Sequence, residues 1–333
     1  WKTTNANITT WNNDWQYRDA SGNEPNKSLE VPVWRKHKNF VWKDNIDENG
    51  AYATSVNGSN HYFNWGTGAP TSNKWQNVSE ITRYNHYSSP LETMDINGNY
   101  ASSKMADNWS KTVAGGNARY TEMYYSGAEH VLPNGNLEGE ILGTTERSTE
   151  YSHTGSYSLK SSSSMAHLFK VNVQSGSSWT DLSKKFRPGK YKVSIWVSRK
   201  AYQTVVLKYN NQTVPLKSSE QAIGASGYWT QLNYIVDILP NANTSLYFTG
   251  SNDSGQHFDD FRMHPVASSM NSYVYDKDTD ALTYILDANN LATKFVYDKA
   301  GRLIATYKEV VSMPGNRGGF KLLKTYDYNY KNQ

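Results

Sequence analysis

The chain has 333 residues, enough for two or three domains and a sizeable core. Aromatic residues make up 14%, charged residues 19%, and the net charge is +4, which excludes a disordered chain and lends nucleic-acid binding no support. Cysteine is absent, which excludes a small disulfide-stapled domain and any thiol chemistry.

Aromatic residues suit strands and small polar residues suit turns, so the composition predicts an all-β protein. Residues 1–130 form the first predicted segment. Strands are expected at Val31–Trp34, Phe40–Trp42 and His61–Trp65, where apolar and polar residues alternate. Turns are expected at Asp47–Gly50, Asn57–Gly58 and Asn97–Asn99. Ser79–Asp95 reads as strand, turn, strand and echoes in degenerate form the repeat of residues 267–333, with Tyr84 followed by Asn85, and a short helix is expected around Ala118–Gly127, where Tyr120, Met123 and Tyr124 fall at helical spacing. The short basic groups at Arg35–Lys38 and Lys184–Arg187 read as solvated faces.

Residues 131–266 read as a separate sandwich. A Gly turn at Thr154–Lys160 leads into an alternating strand. Pro188-Gly189 makes a turn before a strand in which Tyr191, Val193, Ile195 and Val197 share one face, with Trp196 on the other. Further strands fit Thr204–Tyr209, Trp229–Val236 and Ser245–Thr249, and the segment closes on His257–Met263. Several short strands separated by turns predict two packed sheets.

Residues 267–333 carry a repeat. Tyr273-Val274-Tyr275-Asp276 returns as Phe295-Val296-Tyr297-Asp298, a spacing of 22 residues (298 − 276), with a weaker copy at Thr325-Tyr326-Asp327-Tyr328. Each copy predicts a hairpin in which the aspartate starts the turn. Gly301 supplies positive φ, and Phe295 and Tyr297 face a row of Leu303, Ala305 and Tyr307. One hairpin is marginal alone, so the copies are expected to pair side by side. No apolar run is long enough to span a bilayer and no signal-peptide pattern opens the chain, which begins at Trp1 in what reads as mid-domain sequence. A piece of a longer polypeptide is therefore expected.

The stretch Tyr297-Asp298-Lys299-Ala300-Gly301-Arg302-Leu303 resembles the YD repeat of the RHS family. In the copy at Tyr275, Asp280-Ala281-Leu282 replaces Gly-Arg-Leu. Gly155-Ser156-Tyr157-Ser158-Leu159-Lys160, Pro188-Gly189-Lys190-Tyr191 and Phe258-Asp259-Asp260-Phe261-Arg262-Met263 resemble jelly-roll, galactose-binding-like modules of carbohydrate-binding families. The order of segments, with Trp34–His37, Asn85–Glu92 and Tyr120–Met123, is similar to the C-terminal portion of giant RHS-like surface proteins of Bacteroidota. That resemblance implies a cell-surface or extracellular location reached by type IX secretion. It also implies a shell or scaffold role, with the rest of the same polypeptide as principal partner and an outer-membrane translocon as another.

The candidate sites are few. Asp276-x-Asp278-x-Asp280 has the alternation of a calcium loop, but Ala281 stands where the loop needs Gly and Asp287 where it needs Glu, so a turn is expected. By the jelly-roll resemblance, Asp260 with Glu138 and the backbone near Asn136 would hold a structural calcium; a hydrogen-bonded turn acid is the other reading. A glycan ligand would stack on an exposed ring, for which Trp196, Trp229 and Tyr234 are the candidates, with Trp179 and Tyr202 also available. Most such rings are expected in the core. The eight histidines show no metal-ligand spacing, and there is no nucleophile elbow, so a non-enzymatic protein without a catalytic cofactor is expected.

Overall fold

A computed structural model describes residues 5–15, 17–18, 32–44, 46, 55–56, 59–60, 63–107, 109–132, 135–142, 146–161, 167–182, 184–198, 205–224, 227–249, 255–314 and 316–328. The described residues are all β apart from two short 3-10 turns. The chain divides into two compact units, Trp1–Ser102 and Ser103–Gln333. The segments expected from sequence, with boundaries near 130 and 266, do not follow this division: the sandwich and the final hairpins lie in one unit.

The first unit is an antiparallel meander of Asn7–Asn12, Arg35–Trp42, Trp75–Asn85 and Pro90–Asp95, and Tyr100–Ser102 pairs on Pro90–Asp95. Its core is aromatic: Phe40, Trp42, Phe63 and Trp75 meet edge to face. The strand expected at Val31–Trp34 starts at Arg35 instead, since Pro32 lacks a ladder N–H. Val31, His61, Tyr62 and the turns at Asp47–Gly50 and Asn57–Gly58 lie outside the described residues, while Phe63–Asn64 is a short strand.

In the second unit two antiparallel sheets enclose one core, a β-sandwich-like arrangement. The larger sheet runs Glu146–Ser148, Ser158–Lys160, His257–Pro265, Gly189–Ser198, Tyr228–Ile238 and Leu216–Ile223. The smaller runs Leu168–Gln174, Asn243–Thr249, Val206–Tyr209 and Gln212–Thr213. Tyr191, Val193, Ile195 and Val197 point inward as their alternation requires, meeting Val171, Val173, Leu207, Leu246 and Phe248 from the other sheet. The helix expected at Ala118–Gly127 is a single turn, Tyr120–Glu122, followed by the strand Tyr124–Ser126. Tertiary pairing on His257–Pro265 overrides the helical spacing there. Buried Glu122 holds the Arg187 guanidinium at 2.7 Å from both Nε and a terminal nitrogen.

Beside the sandwich, Lys111–Gly116, Met270–Tyr275, Leu282–Leu286, Ala292–Tyr297, Leu303–Val310 and Gly319–Thr325 pair in that order as an antiparallel meander. The hairpins expected from the repeat are present, with two changes. A register shift at Val296/Tyr297 sets Phe295 opposite Thr306, Val296 opposite Ala305 and Tyr297 opposite Leu303, so the facing row drawn from strict alternation is broken. The buried row is Val274, Tyr284, Leu286 and Ala292, not Phe295 and Tyr297.

The repeat has a finer grammar than its sequence suggests. At Asp298 the backbone closes through Gly301 N–H to Asp298 O and Asp298 N–H to Arg302 O, while the carboxylate accepts from the N–H groups of Ala300 and Arg302. Gly301 holds φ +77°, which a side chain adopts at a cost. The same turn stands at Asp95, at Asp287 and, with an amide replacing the carboxylate, at Asn85. Asp276 starts a version one residue longer, closed on Ala281. Each tyrosine before such an Asx donates its hydroxyl to a carbonyl of the neighbouring strand: Tyr84 to Lys36, Tyr275 to Thr112, Tyr297 to Leu282. In the last copy Tyr328, which follows Asp327, makes this bond, to Leu303 at 2.9 Å.

Candidate functional site

The densest polar constellation lies where the sandwich meets the hairpins. Its foundation is the strand His257–Pro265, buried along its whole length because one face serves the sandwich core and the other the hairpins. A bulge opposite Ser194 and Trp196, with Asp260 at φ +48°, breaks the alternation of this strand. Consecutive aspartates therefore reach the same loop, Ser152–Thr154, instead of pointing to opposite faces. Asp259 accepts from the backbone N–H of His153 at 2.7 Å. Asp260 accepts from the His153 ring at 2.7 Å, the Thr154 hydroxyl and the Tyr125 hydroxyl.

His153 is the hub. Its Nδ1 meets Asp260 and its Nε2 meets Glu309, on the Leu303–Val310 strand, at 2.8 Å; all three side chains are 0% exposed. Carboxylates accept only, so both ring nitrogens carry hydrogen and the group is an imidazolium. Burial opposes that charge, but the Glu309 charge and the bonds to both acids outweigh it and raise His153 to about 9. The ring also stacks on Trp196, with centroids 3.9 Å apart and planes 15° apart, an arrangement that suits a cation on an indole. The second oxygen of Glu309 accepts the Ala292 N–H at 2.9 Å, so the pair also fixes the next hairpin strand.

Around this hub other bonds cross the same boundary. Trp196 donates to Asn290 O, Gln231 to Asn289 O, and the Asn290 amide to Asp260 O, each at 2.8–2.9 Å. The Arg262 guanidinium donates to Met270 O, Asp287 O, Ser272 Oγ and Leu286 O. Burial lowers it to about 10. Burial, with the neighbouring charge of Asp260 adding to it, pushes Asp259 well above the carboxylate range. Glu129, whose carboxylate takes the N–H groups of Ser156 and Tyr157, is pushed up to about 8 by burial, against the Tyr157 bond and with the charge of Glu138 adding to the rise.

The sequence candidates fall into this picture unevenly. Asp260 is central, but both of its oxygens are taken by side-chain donors. Glu138 is buried and accepts the N–H groups of Gly127, Glu129 and His130, which makes it the turn-supporting acid of the alternative reading. At Asn136 the carbonyl accepts from Leu132 N–H. Among the described residues no group of three or more His, Asp or Glu is placed to hold a metal ion, and the carboxylates expected to ligate calcium, Asp260 and Glu138, accept from the protein's own donors. Asp276, Asp278 and Asp280 likewise have separate tasks: the first caps its own turn, the second pairs with Lys277 and the third with Lys111.

Trp196 and Trp229 are 0% and 1% exposed, and with Leu291 they pack around Ala222. Tyr234 is buried in the sandwich core. None of the three presents a face to a glycan, because the hairpins and the smaller sheet occupy those faces. Tyr202 lies outside the described residues. Trp179 is half exposed, and the Arg187 guanidinium lies 3.9 Å from its ring centroid. Sequence reasoning did not find His153, Glu309 or Asn290, whose partners lie about a hundred residues or more away in the chain for the first two. Asp287-Ala288-Asn289-Asn290 was the findable signal, midway between Asp276 and Asp298 and rich in turn formers. No protein-family model matches the chain, and no curated protein matches it.

Proposed function

We propose that this chain is a structural, non-enzymatic segment of a large exported cell-surface protein of the RHS/YD-repeat type. In this reading the hairpins build a wall and the sandwich, a jelly-roll-like module, is keyed into it as a scaffold. The observation that carries the proposal is the recurring tyrosine bond: Tyr84, Tyr275, Tyr297 and Tyr328 each fasten their strand to its neighbour through a backbone carbonyl. Such a bond needs only the repeat's own backbone and so can be copied along an array of any length. The buried junction supports the same reading. Its acids and histidine are sealed from solvent and spend their bonding capacity on holding two substructures together. A nucleophile or general base must instead reach its substrate.

Antibody labelling of intact cells of the source organism tests the proposal. The scaffold reading expects labelling without permeabilisation, and removal of the epitope by added protease. A pool confined to the cytoplasm, or turnover of small substrates by the purified chain that is lost with a single side chain, contradicts it.

A further inference from the structure

The outer face of the larger sheet is only half covered. At one end Trp196, Trp229 and Ala222 are sealed beneath Leu291. At the other the same face opens into a cleft of about 730 Å³, within the roughly 300–1,000 Å³ range of small-ligand sites.

Much of the lining is apolar. Ile235 comes from the sheet, Val266 from the end of the strand His257–Pro265, and Val311 and Met313 from the chain that follows Leu303–Val310. Val266 and Met313 are 49% and 65% exposed, so their C–H surface stands open to water.

The charges in the lining are few. Lys192 and Lys217 bring two ammonium groups and Glu220 one carboxylate, a single net positive charge among the described lining residues. Burial, with Arg262 nearby, holds His264 down to about 4, so that ring adds none. The Lys192 ammonium has one hydrogen-bond partner among the described residues, Ala288 O at a long 3.3 Å, which leaves it donors to spare. Burial lowers its proton affinity, and the charges of Arg262 and Lys217 add to that against the opposing Asp287. Asp287 is itself engaged by Lys308 at 2.6 Å. Lys192 is therefore a half-buried cation short of a counter-charge.

These features select a ligand on two counts. Apolar walls call for an apolar body, and one net positive charge matches one negative charge. A second negative charge would meet Glu220 and Asp287. We propose that the cleft binds an amphiphilic monoanion of the medium-chain carboxylate class, its carboxylate on Lys192 and its hydrocarbon body against Val266, Val311 and Met313. The site is separate from the buried indoles and does not rest on the scaffold reading.

The test is calorimetric titration of the whole chain at pH 8 with four probes. Octanoate carries both features, octanamide keeps the body without the charge, acetate keeps the charge without the body, and octyl phosphate adds a second charge. Octanoate is expected to bind with a Kd below about 10 mM and at least fivefold more tightly than each of the others. Lys192→Met is expected to weaken octanoate by about tenfold and to leave octanamide unchanged. Met313→Ser, at an exposed position, is expected to weaken octanoate by about threefold with an unchanged Tm. No binding of octanoate at about 10 mM overturns the proposal. So does equal affinity for octanamide or octyl phosphate, or octanoate binding that Met313→Ser leaves untouched.

Discussion

Acidic side chains do opposite work at the two ends of the hairpins. At the turns, Asp276 and Asp298 sit near solvent and stay ionised. The Thr279 hydroxyl bond lowers the first below the usual carboxylate range, and the Arg302 side-chain bond lowers the second. At the junction Asp259 and Glu129 are pushed the other way by burial, and the acids there close on a buried imidazolium. A turn carboxylate organises backbone that would otherwise be bonded to water, so its net contribution is small. A junction carboxylate has already lost its water, so removing its partner leaves a bare charge in the interior.

That contrast orders the expected effects. The largest is at the hub. Glu309→Ala strands the imidazolium and frees the Ala292 N–H, and is expected to cost about 3–5 kcal/mol in urea unfolding. A loss below about 1 kcal/mol would erase the distinction between junction and turn.

Next comes pH. His153 moves from its ordinary 6.5 to about 9 on folding, and Glu129 from 4.5 to about 8. Both are raised, so the folded state holds protons that the unfolded chain releases. The stabilisation is complete below the unfolded values and is lost as pH climbs through 4.5 to 8 for Glu129 and through 6.5 to 9 for His153. At about 1.4 kcal/mol per unit, the His153 share is on the order of 3 kcal/mol. The turn aspartates are lowered, so their contribution is present above their ordinary 3.8 and fades only as pH falls further. Thermal melts are therefore expected to be highest near pH 5 and to decline toward pH 9. A curve that keeps rising from pH 5 to pH 9 would contradict the junction's electrostatics.

Smaller effects belong to the repeat. Tyr297→Phe removes one bond to a backbone carbonyl and is expected to cost about 1 kcal/mol, and Gly301→Ala about the same through its positive φ. Asp298→Ala is expected to lower Tm by only about 2–4 °C, because water replaces the carboxylate on the freed N–H groups. If Asp298→Ala proved as damaging as Glu309→Ala, the turns would be structural anchors of the same rank as the junction.

The same contrast explains what could be read from the chain. Turn chemistry is local: Tyr-Asp, a residue able to take positive φ and a return strand fall within about ten positions, so the hairpins at Asp276 and Asp298 were legible. So was the shared face of Tyr191, Val193, Ile195 and Val197, which needs only a period of two. The register shift at Val296/Tyr297 was not, because a bulge inserts a residue without a sequence mark of its own. The all-β character came from composition, whereas the turn at Tyr120–Glu122 went astray where pairing outweighed local spacing.

The site was legible in part. Asp259-Asp260 was conspicuous as a pair, but its role depends on a bulge that turns both residues toward one loop. Trp196 was set on the face opposite Tyr191 and Val193, and the fold makes that face the outer one. What covers that face, the Asn290 turn and Leu291, comes from far along the chain, so an indole that looked available for a ligand is committed to packing. His153 and Glu309 lie 156 positions apart and carry no motif.

A double-mutant cycle between His153 and Glu309 tests the central claim most directly. Unfolding free energies of the parent chain, His153→Ala, Glu309→Ala and the double variant give the coupling between them. A buried ion pair that joins sandwich to hairpins predicts a coupling of about 2–3 kcal/mol, with the double variant little worse than either single one. Additive losses, with a coupling near zero, would contradict it.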